Sequence, residues 1–199
     1  MSQGNTKPKI LAFAGSARKD SLNKKLVKIA AAGASEAGAD VTVIDLNNFQ
    51  MPIYDGDLEQ HEGLPQNALK LKELMLSHQG FLISSPEYNS SISPLLKNTI
   101  DWTSRQSNNE TPLACYKGKV AGIMSASPGG LGGLRGLVHV RSILENIGVL
   151  VIPEQAAVSK AHETLGDDAS MKNKDQEQQV KRIGSGVAKL LMALDSNRT

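Results

Sequence analysis

The sequence predicts an α/β fold: a three-layer sandwich with a five-stranded parallel sheet in the order 2-1-3-4-5 and helices on both faces. Three observations lead there. Five short apolar runs recur along the 199 residues, segments of helical periodicity separate them, and a loop crowded with phosphate-binding groups follows the first run. Alternation of strand and helix implies parallel strands buried on both faces. Five strands with the phosphate loop after the first favour this order over a longer sheet of the dinucleotide-binding kind. The length suits one domain over residues 1–199, with a sizeable core and a polar tail over residues 1–8.

The first strand, 9–14, passes into Gly15-Ser16-Ala17-Arg18-Lys19-Asp20-Ser21-Leu22-Asn23. Gly15 permits a tight exit from the strand. Ser16, Ser21 and Asn23 carry short polar side chains, and Arg18 offers a planar cationic fork for two phosphate oxygens. The helix that follows, 22–37, lines up Leu22, Leu26, Ile29, Ala30 and Gly33 on one face. Its N-terminus adds unpaired N–H groups and the positive end of a dipole. A second strand is expected over 41–46 and a helix over 67–77, where Leu69, Leu71, Leu74 and Met75 repeat. The polar stretch between them, 47–65, has the length of a lid, an interface segment or a plain surface loop.

The third strand, 80–85, runs into Pro86-Glu87-Tyr88-Asn89. Pro86 fixes the backbone and Tyr88 offers a flat amphipathic surface, while Glu87 and Asn89 can orient backbone groups or bond a heterocycle's edge. Ser93-Pro94 starts a helix over 94–105. On it, Trp102 serves either a subunit interface or the core, and Asp101 and Arg105 are spaced for a surface pair. The fourth strand, 120–126, ends in Ser125-Ala126-Ser127-Pro128-Gly129-Gly130-Leu131-Gly132-Gly133, whose glycines let backbone N–H groups approach a flat ligand. A helix over 133–147, a fifth strand over 149–153, a polar stretch over 162–179 and a last helix over 178–194 complete the chain.

Ligands of open parallel sheets bind beyond the carboxyl ends of the strands. Three loops therefore meet on one edge, and a phosphate grip beside two pieces of a flat pocket suits a phosphorylated planar heterocycle. The nucleoside-triphosphate loop ending in Gly-Lys-Ser/Thr is absent, as is Gly-x-Gly-x-x-Gly after the first strand. Arg135 stands where a third glycine counted from Gly130 and Gly132 would fall.

Composition narrows the function further. A net charge of +2 with 4% aromatic residues gives no stacking platform or basic patch for nucleic acid. No apolar run is long enough to cross a membrane and the N-terminus lacks a signal core, so a cytoplasmic protein is expected. The single Cys115 excludes an internal disulfide. His61, His78, His139 and His162 show no ligand spacing, and Asp55, Asp57, Glu59 and Glu62 read as a solvated acidic loop, so no metal site is expected.

The stretches Gly15-Ser16-Ala17-Arg18-x-x-Ser21-x-Asn23, Pro86-Glu87-Tyr88-Asn89 and Ser127-Pro128-Gly129-Gly130-x-Gly132-Gly133-x-Arg135 together resemble the NAD(P)H-dependent FMN reductases. That family has a flavodoxin-like fold and includes proteins described as quinone, chromate and azo-dye reductases. The similarity covers about residues 9–154. It implies that Ser16, Arg18, Ser21 and Asn23 hold the FMN phosphate. It also implies that Pro86, Glu87, Tyr88 and Asn89 flank the flavin ring, with Ser125, Ser127, Gly129 and Gly130 on the other loop. The activity implied is a two-step hydride relay from NADPH or NADH through FMN to a quinone, chromate, flavin or azo acceptor, in a homodimer or homotetramer. The cofactor carries such chemistry, so no catalytic acid, base or nucleophile is named. Two other readings share the fold: a flavodoxin-type electron carrier, which the slightly basic balance disfavours, and a phosphosugar- or nucleotide-binding regulator.

Overall fold

In the computed structural model, which describes residues 7–107, 110–166, 168 and 170–196, the chain forms seven strands and seven α-helices among those residues. The strands are β1 (Lys9–Ala14), β2 (Asp40–Val43), β3 (Gly80–Ser84), β4 (Glu87–Tyr88), β5 (Ser91–Ile92), β6 (Val120–Ala126) and β7 (Leu150–Val158). The helices are α1 (Leu22–Glu36), α2 (Gly56–Glu62), α3 (Gln66–Leu76), α4 (Pro94–Thr103), α5 (Leu134–Asn146), α6 (Ala161–Thr164) and α7 (Lys174–Ser196). Most of the expected polar tail, residues 1–6, lies outside the described residues.

Strands β1, β3 and β6 are almost wholly buried, which requires cover on both faces. They form one parallel sheet in the order β2-β1-β3-β6-β7, the expected 2-1-3-4-5 once the separate β4–β5 hairpin is set aside. Ile10, Ala12 and Leu82 pack against Leu26 and Ala30 of α1 and Ile183 and Val187 of α7. Their neighbours Leu11, Phe13, Phe81 and Ile83 face the other way, onto Leu71 and Met75 of α3, Leu96 of α4 and Leu137 of α5. Helices α1 and α7 touch backbone to backbone: a Cβ on Gly184 would stand 1.8 Å from the Ala30 carbonyl oxygen.

Several boundaries differ from expectation, each for a local reason. Strand β2 stops at Val43 because Asp45 accepts the Asn47 N–H at 3.0 Å and caps a 3-10 turn over Leu46–Asn48. Strand β7 continues past Pro153 to Val158; it is an edge strand with a register shift opposite Ala121–Ile123, and an edge tolerates proline's missing N–H. Helix α7 starts at Lys174 because Asn173 Oδ1 accepts the N–H groups of Asp175 and Gln176. The acidic stretch expected as a solvated loop contains α2, whose N-cap Asp55 accepts from Asp57 N at 2.9 Å.

Trp102 belongs to the core and not to an interface. It is fully buried, donates its Nε1–H to the Pro52 carbonyl at 2.8 Å and meets the Tyr54 ring edge-on. The Asp101–Arg105 pair does not form. Asp101 binds Lys97 at 2.7 Å, and the Arg105 guanidinium lies over the Tyr54 ring at 5.3 Å.

Candidate functional site

The exits of β1, β3 and β6 lie side by side at the carboxyl edge of the sheet, and a cleft opens there. Its walls carry Ser16, Arg18, Ser21, Asn23, Pro86, Glu87, Tyr88 and Ser127, so the cleft gathers predicted residues from all three loops. A larger hollow at the opposite edge, lined by Lys7, Lys9, His78 and Lys119, is where α3 and α7 end. Cations there complement helix carbonyl ends. Lys119, pushed down by burial, donates to the His78 carbonyl.

The first loop is held from below. Gly15 N donates to the Ser84 carbonyl at 2.9 Å, and the Ser93 hydroxyl, which also caps α4, donates to the Gly15 carbonyl at 2.6 Å. A Cβ at Gly15 would sit 2.9 Å from Leu96 Cβ, so the tight exit is a packing requirement. Ser21 is the N-cap of α1 and accepts Lys24 N, while its hydroxyl hydrogen remains available to a ligand. Ser16 is buried with its Oγ 3.4 Å from Arg18 N. Arg18 is exposed, and among the described residues no carboxylate pairs with it. Asn23 is buried and spends three hydrogen bonds inside the protein, on Ser84 and on both backbone groups of Ala126.

The second loop is a hairpin rather than an open loop. Asn89 and Ser90 take φ of 51° and 66°, the left-handed pair of a two-residue turn joining β4 to β5. Asn89 and Tyr88 therefore project at the exposed tip, with Tyr88 about half exposed. Glu87 points away from the tip. Its Oε1 accepts Arg135 Nε at 2.9 Å and Nη2 at 2.6 Å, and its Oε2 accepts Gly136 N at 3.1 Å. Glu87 thus caps α5 from outside, because Gly133 at the N-cap has no side chain to do so. Partial burial pushes the Glu87 carboxyl up, but the bonds from Arg135 and Gly136 outweigh it and hold the group below the usual carboxylate range.

In the third loop the glycines divide into two kinds. Gly132 and Gly133 have positive φ and no room: a Cβ on Gly133 would come 2.0 Å from Ser125 Oγ. Gly130 faces open space, and a Cβ on Gly129 would meet only Ser127 Oγ at 3.4 Å, an ordinary contact, so neither is glycine for lack of room. Ser127 accepts the Gly129 N–H at 3.1 Å and keeps that turn in place. Ser125 and Ser85 are fully buried, with hydroxyls that have no partner among the described residues. Ser84, Ser93 and Arg135 have no site role in the sequence reading, although the Ser-Pro helix start marks Ser93 and the third resemblance motif ends on Arg135.

The donor set fits a flavin mononucleotide. A guanidinium that no described carboxylate engages, two hydroxyls and a helix N-terminus suit a phosphate, and the open space at Gly130 leaves backbone free to meet a flat ring. The fold defines a class, the flavodoxin-like proteins, and the candidate ligand cleft lies beside the loops after the first, third and fourth strands of its sheet. Within that class the chain belongs to the NADPH-dependent FMN reductase family, whose sequence model matches residues 8–163. Membership makes it an enzyme of the FMN reductase class, working with FMN and NAD(P)H.

Individual relatives agree. A quinone reductase of Escherichia coli (strain K12) is 37% identical over 150 residues, covering 73% of this chain and 74% of the relative. A 2-hydroxy-1,4-benzoquinone reductase of Burkholderia sp is 30% identical over 159 residues, covering 80% and 82%. Among solved structures, the flavoenzyme NAD(P)H:(acceptor) oxidoreductase of Paracoccus denitrificans superposes with a TM-score of 0.77 at 26% identity, covering 92% of this chain and 96% of that one.

Proposed function

We propose that the protein takes electrons from NADPH or NADH and passes them, through one FMN in the carboxyl-edge cleft, to quinone-type acceptors. The observation that carries this is Arg18: an exposed guanidinium, paired with no carboxylate among the described residues, beside the capped N-terminus of α1 and on the same edge as the third loop, where Gly130 leaves backbone open to a ring. Ser16, Arg18 and Ser21 grip the phosphate, with Asn23 directly beneath them. Pro86, Tyr88 and Asn89 border one part of the ring and Ser127, Gly129 and Gly130 another, with Glu87 and Ser125 supporting these loops from behind. When bound, the flavin supplies two-electron transfer in two half-reactions, donor first and acceptor second. The residues of the chain orient the ring and leave one face open, and no side chain here is assigned a proton. Quinone-reductase relatives support the acceptor class, and an open cleft of this kind also suits chromate, free flavins and azo compounds.

The same reading includes a single domain acting as a homodimer or homotetramer in the cytoplasm. The exposed apolar side chains Leu131, Leu134 and Val138 beside the cleft support subunit contact, and one buried cysteine suits a reducing compartment. The direct test is Arg18→Ala. A charge-assisted phosphate contact contributes about 2–3 kcal/mol, so FMN affinity is expected to fall roughly 30- to 150-fold. Unchanged FMN affinity, measured by fluorescence quenching, removes Arg18 from the phosphate site.

A further inference from the structure

The hydrogen bonds of Asn23 give it a role distinct from the groups around it. Strands β3 and β6 run in register as far as Ser84 and Met124, and Ser85 N still reaches the Met124 carbonyl at 2.8 Å. Then β3 departs: Pro86 has no N–H to give, and the chain turns into the hairpin. Strand β6 continues to Ala126, paired on its far side with Val158 of β7 but deserted on the side that β3 has left. The Asn23 amide occupies that gap. Its Nδ2 donates to the Ala126 carbonyl at 2.9 Å, its Oδ1 accepts the Ala126 N–H at 3.0 Å, and the same oxygen accepts the Ser84 hydroxyl at 2.8 Å. A side-chain amide carries the same donor and acceptor as a peptide unit, so it can replace one rung of a ladder.

We propose that Asn23 is a positioning residue, standing in for the missing strand neighbour of Ala126 and so fixing the distance between the phosphate loop and the two ring loops. Asn23 lies in the first turn of α1, two residues after Ser21, whereas Ala126 immediately precedes Ser127 of the third loop and Ser84 closely precedes Pro86 of the second. One buried side chain thereby ties together the three segments that build the cleft. Three of its four hydrogen-bonding positions are committed, and only one amide hydrogen is left over. A fully connected buried network of this kind sets geometry rather than supplying charge to a ligand.

The proposal rests on the FMN reading, and the test separates the two. In the full chain freed of flavin, Asn23→Ala is expected to speed exchange of the Ala126 amide hydrogen at least tenfold, a readout that requires no ligand. Exchange within twofold of the parent overturns the proposal. On flavin addition, Asn23→Ala is expected to weaken FMN and riboflavin by the same factor, because the spacing of the whole cleft is lost. A loss confined to FMN makes Asn23 a phosphate ligand and also overturns it. If Asn23→Ala does not fold, Asn23→Asp keeps both accepted bonds and loses only the donor; it is expected to weaken riboflavin, which has no phosphate, three- to tenfold. Unchanged riboflavin affinity in that variant refutes the role. Arg18→Ala is the control for the phosphate site: it is expected to weaken FMN alone, and equal weakening of riboflavin is a failure of the phosphate reading, not of the clamp.

Discussion

Replacing Glu87 by glutamine isolates the tie between the hairpin and α5. The carboxylate is shielded, with 9% of its side chain exposed, whereas Arg135 is 58% exposed, so the ion pair is only half withdrawn from water. An exposed pair of this kind contributes up to about 1 kcal/mol, and the capping bond to Gly136 about 1 kcal/mol more. Glutamine keeps one acceptor and presents an amide to donors that require acceptors. The expected loss is therefore about 1–2 kcal/mol, roughly 2–8 °C in Tm for a chain of this size. The pH dependence has a definite sign. The Glu87 carboxyl is held below its ordinary value by Arg135 and Gly136, so its contribution is full above the unfolded carboxylate pKa and is lost as pH falls through the folded one. Thermal melts of parent and Glu87→Gln should differ at pH 7 and converge in acid. A gap that persists undiminished in strong acid, below the folded carboxyl's titration, or no gap at pH 7, refutes the assignment of the cap.

Two glycines offer independent tests of the packing. Gly184→Ala places a methyl 1.8 Å from the Ala30 carbonyl oxygen and must force α1 and α7 apart; a loss of about 3 kcal/mol or more is expected, seen as a Tm on the order of 10 °C lower, and a shift under 2 °C (less than about 1 kcal/mol) contradicts the close helix contact. Gly133→Ala combines a φ of 88° with a clash at Ser125 Oγ, so about 2–4 kcal/mol is expected. Pairing it with Ser125→Gly should recover part of that loss in the same melting assay, and no recovery places the strain elsewhere.

The sheet was legible because its central strands β1, β3 and β6 are short, apolar and buried on both faces, which leaves them little else to be; β1 and β6 match their expected limits residue for residue. Where one side chain redirects the backbone, the pattern was silent. Asp45 ends β2 early, Asn173 starts α7 early, and Pro153 disguised the edge strand as finished. The three loops of the site were readable as a set since topology brings them to one edge. Their internal division of labour was not. Nothing in Gly-Gly-x-Gly-Gly spacing says that Gly132 and Gly133 serve the backbone while Gly129 and Gly130 have room for a side chain. Likewise Asn23 and Glu87 carry ligand-like side chains whose bonds run inward, a fact set by partners 48 or more positions away along the chain.

The account centres on a flavin that the protein both holds and reduces. Purified protein loaded with FMN, kept free of oxygen and mixed with NADPH or NADH in the spectrophotometer, tests this most directly. The visible flavin band is expected to bleach on addition of at least one of the two nucleotides and to return when a quinone is added. A band that neither nucleotide bleaches, or a protein that acquires no flavin band at all, contradicts the account.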